Sequence, residues 1–141
     1  MFGALDIAAS GLMAQRIRLD VISANMANQY TTVDARGNYA PFRRRIAVFA
    51  AGGAEGSGLG GVGSNPLGVH VKEIELDSAP FRKVYEPGNP FADKAGYVGY
   101  PNVDPTMETI NSVEALRAYD ANITAAEATK SMMNAALRLL A

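Results

Sequence analysis

The sequence predicts a mostly α-helical protein, in which long N- and C-terminal helices pack as a coiled-coil-like pair and a small irregular, β-containing segment lies between them in the chain. Two observations predict this class. Both ends of the chain repeat apolar residues at spacings of three and four, the period of a helix that buries one face. Prolines and glycines are concentrated between those ends, where turns and short strands are expected. We therefore divide the chain into an N-terminal helix (1–30), a middle segment (31–103) and a C-terminal helix (104–141).

The N-terminal helix is expected over residues 3–28, which contain no proline. An apolar stripe runs along it at helical spacing, interrupted by one polar residue, and Arg16, Arg18 and Asp20 fall off that stripe. At 1.5 Å per residue the helix would be roughly 40 Å long, and an isolated helix of this kind needs a packing partner to stay folded. The stripe consists of Leu5, Ala8, Leu12, Gln15, Leu19, Ile22 and Met26.

The C-terminal helix is expected to begin at Pro105, with Asp104 as its N-cap. From residue 106 to residue 141 there is neither proline nor glycine, and six alanines between residues 115 and 128 favour helix and allow a second helix to approach closely. We expect both helices to pack on each other and on copies of themselves. The apolar stripe here consists of Val113, Leu116, Tyr119, Ile123, Ala126, Met133, Leu137 and Leu140.

Asn25 and Asn28 lie three residues apart at the end of the first helix. Asparagine tolerates the left-handed conformation that ends helices, and its amide can bond the last carbonyl groups, so a helix stop is one interpretation. The other is that two amides on one face lock against a neighbouring subunit. The residues that we expect to act in helix packing and assembly are Leu5, Leu12, Leu19, Ile22, Asn25, Asn28, Leu116, Tyr119, Ile123, Met133, Leu137 and Leu140.

The middle segment is expected to hold short extended pieces in residues 29–47 and a half-buried strand near residues 69–76, where apolar and polar residues alternate. Seven glycines in residues 52–63 predict a flexible loop. The literal GxGxxG match at residues 56–61 opens no helix, so it does not indicate a dinucleotide site. Recurrent prolines and glycines predict an ordered irregular segment over residues 85–105.

Composition excludes most kinds of active site. The chain has no cysteine and a single histidine, His70, so thiol catalysis and sites that need several histidines are ruled out. His70 is expected to be a plain strand residue. The basic triplet Arg43, Arg44 and Arg45 is expected to lie on a solvated strand or turn, or to touch a partner. A formal net charge of -1 argues against nucleic acid. We expect no catalytic residue, no cofactor, no metal and no small-molecule substrate.

The N-terminus lacks a basic segment before its apolar residues, and Asp6 interrupts them, so a cleavable secretory signal is not expected. No apolar run approaches the roughly 20 residues that a membrane helix needs, and we expect the protein not to span a membrane.

Two stretches of the chain resemble the terminal signatures of the bacterial flagellar rod, hook and hook-associated proteins. The first contains Ala8-Ala9-Ser10-Gly11-Leu12 and the run from Ser23 to Asn28, and the second is METINSVEALRAYDANI, beginning at Met107. Together with the middle-segment motifs, the similarity covers residues 4–32 and 85–141. Those motifs are similar to the proximal rod members of the family and are Tyr85-Glu86-Pro87-Gly88, Gly96-Tyr97-Val98 and Pro101-Asn102-Val103.

The resemblance implies a non-enzymatic structural subunit of the proximal rod, which assembles helically into the drive shaft that transmits torque from motor to hook. It implies a place in the basal-body rod across the periplasm, and export by the flagellar type III apparatus without a cleaved signal. Its implied partners are copies of itself, proximal and distal rod proteins, and the adaptor between the rod base and the MS ring. The alternative from the residues alone is a soluble helical adaptor or chaperone whose amphipathic helices bind one partner.

Overall fold

The computed structural model describes residues 2–52 and 67–140, except for the side chains of Phe2 and Leu140. The prediction of two terminal helices joined through a β-containing middle segment is confirmed, while their coiled-coil-like packing stays a prediction. Of the glycine-rich loop predicted at residues 52–63, only Gly52 lies within the described residues. The described elements are α1 (Phe2–Ala27), β1 (Arg45–Ala51), β2 (Val69–Leu76), β3 (Arg82–Tyr85), β4 (Tyr97–Tyr100) and α2 (Pro105–Leu140).

The end of α1 and the beginning of α2 are each fixed by a polar side chain that bonds the helix backbone. The Thr106 N–H donates to Asp104 Oδ1 over 2.9 Å, so Asp104 is the N-cap of α2, as predicted. At the end of α1, Asn28 Nδ2 donates to the Ala24 carbonyl over 2.9 Å, and the Thr31 hydroxyl donates to Asn28 Oδ1. Asn28 is therefore a helix stop within the chain.

The two helices run antiparallel and make side-chain contact at three levels. Asn25 meets Glu108 at 3.0 Å, and Arg18 meets Glu114 at 3.3 Å. Farther along, Gly11 lies so close to Asn122 that a Cβ built on the glycine would stand 2.7 Å from the Asn122 Nδ2 atom. A step of seven residues along α1 is thus matched by six to eight along α2, which sets the register of the pair.

The strands β1 and β2 form an antiparallel hairpin that lies along α1. Arg45 pairs with Leu76 at one end and Ala51 with Val69 at the other, with an irregularity between Val48 and Phe49. The Asn25 amide bonds the backbone of Arg45, whereas the Val69 N–H donates to the Ser10 hydroxyl over 3.1 Å. The hairpin therefore follows α1 for about fifteen residues, roughly 22 Å.

A second antiparallel pair is formed by β3 and β4, and four residues separate the end of β4 from the beginning of α2. Arg82 pairs with Tyr100 and Tyr85 with Tyr97. The sequence predicted an irregular segment here, and this is wrong for Tyr97–Tyr100, because a four-residue strand with a central glycine is too short to show an alternating pattern. Residues 29–47 hold an isolated bridge between Val33 and Tyr39 as well as the beginning of β1.

The hydrophobic core is narrow and built largely from small side chains. Ala14 and Ala115 are 2% and 0% exposed, and the small side chains let the two helices approach closely. No helix in the described part of the chain is long and apolar enough to cross a bilayer. The buried apolar residues are Ala8, Ala14, Val21, Ile22, Val98, Val103 and Ala115.

Candidate functional site

Glu108, in the first turn of α2, has no exposed surface and carries an ion pair. Its Oε1 accepts a hydrogen bond from Arg44 Nε over 2.8 Å and lies 2.8 Å from Arg44 Nη2 in an ion pair. Arg44 immediately precedes β1, and its side chain is 24% exposed. A charge removed from water at such depth is tolerated only when paired and hydrogen-bonded, so Glu108 and Arg44 depend on each other.

The Asn25 amide connects this ion pair to the end of α1. Its Nδ2 donates to Glu108 Oε2 over 3.0 Å and to the Arg45 carbonyl over 2.8 Å, while its Oδ1 accepts from the Arg45 N–H over 2.9 Å. Asn25 is 1% exposed, and its amide is fully used within one chain. It therefore presents nothing to a neighbouring subunit, which removes for Asn25 the interpretation of an intersubunit amide lock.

Asp77 and Asn102 extend the network to the segments that flank the strands. Asp77 Oδ2 lies 3.2 Å from Arg44 Nη1, and Asn102 Oδ1 accepts from the Arg44 N–H over 2.9 Å. We call Asn25, Arg44, Asp77, Asn102 and Glu108 the polar joint. It ties both helices to the base of the β1–β2 hairpin.

The surroundings of Asp77 and Arg44 favour the ionised forms of these two side chains. The backbone N–H of Ala79 and then the Arg44 guanidinium lower the pKa of Asp77, against the opposing effect of desolvation. Burial alone lowers the pKa of Arg44, but hydrogen bonds and charge from Glu108 and Asp77 outweigh it and raise that pKa above its ordinary value. Both Glu108 oxygens accept hydrogen bonds within the chain, so this one carboxylate connects the end of α1, the first turn of α2 and the residue that precedes β1.

The sequence did not reveal the polar joint. The triplet Arg43–Arg45 was expected to be solvated or to touch a partner, yet Arg44 is paired inside the chain, and Arg43 Nη1 donates to the carbonyls of Asp77 and Ala79. Glu108 lies in the first turn of α2, where an acidic side chain interacts favourably with the helix dipole whether or not it is buried. The one signal for it was its place in the flagellar-like stretch METINSVEALRAYDANI.

The assembly residues predicted on α1 lie partly on and partly beside its buried face. Ile22 and Asn25 are buried, whereas Leu5, Leu12, Leu19 and Asn28 are half-buried. The face that meets α2 and the hairpin is rotated from the predicted apolar stripe. Its buried members are Ala8, Gly11, Ala14, Val21, Ile22 and Asn25.

The assembly residues predicted on α2 are more exposed. Tyr119, Ile123 and Met133 are half-buried, Leu116 and Leu137 are 48% and 59% exposed, and the side chain of Leu140 lies outside the described residues. Their part in assembly stays a prediction.

An open groove of about 390 Å³ lies on the outward side of α2, the side turned away from α1. It is lined by Thr109, Ile110, Val113, Glu114 and Arg117.

No group of three histidine, aspartate or glutamate side chains within residues 2–52 and 67–140 is arranged to hold a metal ion. His70 lies in β2 with its Nδ1 2.8 Å from the Gly52 carbonyl oxygen, which makes it a structural strand residue, as predicted. The GxGxxG match at residues 56–61 lies outside the described residues.

Comparison with known proteins matches both ends of the chain to flagellar families. Residues 5–32 match the family described as flagella basal body rod protein, and residues 94–139 match the one described as flagellar basal body rod FlgEFG protein C-terminal. The chain is 40% identical to the flagellar basal-body rod protein FlgC of Bacillus subtilis over 98% of this chain and 97% of that protein. It is 42% identical to FlgC of Yersinia enterocolitica over 95% of this chain and 93% of that protein. It is 39% identical to FlgC of Aquifex aeolicus over 94% of this chain and 91% of that protein.

Proposed function

Because this chain belongs to the FlgC family of flagellar basal-body rod proteins, and is thus a structural rod subunit rather than an enzyme, we propose how it is built into the rod. The two terminal helices form a coiled-coil-like inner layer, and the strands of the middle segment lie outside it. Copies repeat helically into the proximal part of the shaft that carries torque from motor to hook. The polar joint holds the helix pair and the hairpin at one angle, so that twist applied to one passes to the other.

The observation that carries this proposal is the apolar surface that one chain leaves open on its helices. Leu116 and Leu137 are 48% and 59% exposed, and Ile110 and Val113 border an open groove. Burying one such side chain contributes about 1.5–3 kcal/mol, which supports an assembly in which neighbouring subunits cover these faces. Head-to-tail contacts between unlike surfaces generate open helical assemblies, the geometry that a rod requires.

The partners and route that we propose follow from this role. Copies of the same chain, other proximal and distal rod proteins, and the adaptor at the rod base would contact the helices of the inner layer. The flagellar type III apparatus would export the chain without a cleaved signal peptide, and the assembled rod would cross the periplasm. Apart from Asn25, the predicted assembly residues would lie in these contacts, with Leu12 and Leu19 of α1 facing neighbours beside Tyr119 and Ile123 of α2.

The experiment is complementation of a strain from which this gene has been deleted. We expect the wild-type chain to restore swimming and to appear in purified basal bodies in many copies. Leu137→Asp should abolish both, because it places an unpaired charge in a helix interface. The control is Asn134→Asp, which introduces the same charge without a change of side-chain size at an exposed residue one turn from Leu137, and it should preserve swimming and incorporation into basal bodies. A chain that restores swimming yet is absent from basal bodies would instead favour an adaptor or chaperone role.

A further inference from the structure

We propose that the outward face of α1 in one copy of this chain docks antiparallel on the outward face of α2 in a second copy, with Asp20 opposite Arg117 and Arg16 opposite Asp120. This contact rests on the proposed function and deepens it, because it names the surfaces and the register by which two rod subunits join.

Among the charged side chains of α1, only Arg18 has an ion pair in the described part of the chain. Arg18 faces α2 and contacts Glu114 over 3.3 Å. Arg16 and Asp20 are exposed and four residues apart, so they share a side of the helix. At about 100° per residue that side lies opposite the one on which Gly11, Arg18 and Asn25 meet α2. Both charges therefore point away from the chain's own second helix.

The outward face of α2 carries the same order of charges along the chain, an arginine followed by an aspartate, and is therefore complementary to α1 when the two helices run antiparallel. Arg117 and Asp120 are exposed, three residues apart and without an ion pair among the described residues. They lie away from the side that carries Glu108, Ala115 and Asn122, which is the side turned to α1. Arg117 also lines the open groove on α2, so its charge borders an apolar surface.

One antiparallel register satisfies both charge pairs. Subunits that repeat along a common axis keep the same direction, so α1 of one copy runs antiparallel to α2 of the next, as it does within a chain. Going back from Asp20 to Arg16 on α1 then corresponds to going forward from Arg117 to Asp120 on α2. This register differs by about four residues, or roughly 6 Å, from the one within a chain. Opposite charges at both points favour this register over its neighbours.

The same register also places large side chains opposite small ones. Met13 of α1, which is 64% exposed, comes level with Thr124 of α2 and the alanines beside it. At the other end, Ala27 of α1 comes level with Ile110 of α2, which is 55% exposed. Because a large residue needs a hole in the facing helix, this alternation allows the two helices to close on each other.

Disulfide cross-linking tests the register, since the natural chain has no cysteine. We would introduce Asp20→Cys with Arg117→Cys, isolate basal bodies, oxidise them and separate the subunits without reductant. Within one chain the two positions lie on opposite sides of the helix pair, roughly 13 Å apart for axes 8–10 Å apart, which exceeds the roughly 7 Å limit between the Cα atoms of a disulfide. Any bond therefore joins two copies, and we expect a ladder of dimers and higher multimers.

The matched control is Asp20→Cys with Ala128→Cys, which moves the second cysteine along the exposed side of α2 and out of register. It should remain monomeric. Basal bodies that contain the variant with Asp20→Cys and Arg117→Cys but give no ladder, or an equal ladder in the control, would overturn the contact while leaving the rod role intact. Absence of the wild-type chain from basal bodies would overturn the rod role itself.

Charge exchange gives a second test that does not depend on cysteine. Asp20→Arg and Arg117→Asp each place like charges across the contact, and each should lower recovered rods about tenfold, a factor that corresponds to about 1.4 kcal/mol. Both sites are exposed, so the circular dichroism of each variant should match that of the wild type. The double variant restores opposite charges and should recover rods. A double variant no better than the singles would overturn the pairing.

Discussion

The Glu108 carboxylate and the Arg44 guanidinium lie 2.8 Å apart, and the glutamate has no exposed surface at all. Through this one ion pair the first turn of α2 is joined to the residue that precedes β1. Asn25 adds the end of α1 to the same point through its bond to Glu108 Oε2. The two helices and the hairpin thus meet at a polar contact. Only a few apolar side chains are available there to hold the three elements together.

Removing Glu108 should destabilise the protein strongly. Glu108→Ala leaves the Arg44 charge partly buried without its main partner, and we expect a loss of about 3 kcal/mol in the free energy of unfolding, measured by urea denaturation. Glu114→Ala is the control, because Glu114 is 65% exposed and pairs with Arg18 at the surface. The loss in the free energy of unfolding for Glu114→Ala should stay below about 1 kcal/mol. Similar losses in the two variants would contradict a buried ion pair at Glu108.

The close approach of the helices at Gly11 should not tolerate a large side chain. Even a Cβ there would stand 2.7 Å from Asn122 Nδ2, so Gly11→Leu should cost about 1–3 kcal/mol through overpacking. Adding Asn122→Ala removes the obstructing amide and should recover part of that loss. Ala9→Leu, on the exposed side of α1, is the control and should leave the thermal midpoint nearly unchanged. No recovery in the double variant would mean that Asn122 is not the obstacle.

Asp77 should make stability fall in acid. Its pKa in the folded chain lies below the ordinary 3.8, chiefly because the Ala79 N–H and then Arg44 stabilise the carboxylate. The stability that the ionised Asp77 contributes is therefore complete well above pH 3.8. It is lost as the pH falls through that value towards the lower pKa of the folded chain. Asp77→Asn should be less stable than the wild type at neutral pH, and the difference should shrink as the pH falls towards and below 3.8. Urea denaturation across that range measures it, and a constant difference would contradict this assignment.

The Tyr39 hydroxyl should fasten β4 to the segment that follows α1. It donates to the Gly99 carbonyl over 2.8 Å and accepts from the Gly99 N–H over 3.0 Å, so both backbone groups of one residue depend on it. Tyr39→Phe should therefore cost about 1 kcal/mol and should speed amide exchange at Gly99. Tyr85→Phe is the matched control, since Tyr85 is 64% exposed. Equal exchange at Gly99 in both variants would argue against this role for Tyr39.

Local signals were enough for the helices but not for the joint. Spacings of three and four, together with the Asp104-Pro105 start, predicted α1 and α2 because helices form from contacts between near neighbours in the chain. The alternation at residues 69–76 predicted β2 for the same reason. Arg44 was misjudged because a charged residue in a short extended segment is usually solvated, and its burial depends on partners 33 and 64 residues away.

By itself the sequence determined that this protein has two long helices with a small β-containing segment between them, no thiol chemistry, and the terminal signatures of flagellar axial proteins. Only the tertiary structure decided which faces of the helices meet. The apolar stripe of α1 predicts a buried side, yet the contact with α2 runs through Gly11, Arg18 and Asn25, beside that stripe. Hydrophobic periodicity reports where apolar residues recur, whereas the rotation of a helix is set by the close approach of small residues and by polar groups that must be paired once buried. Those conditions involve residues far apart in the chain and are met only when the whole molecule is folded.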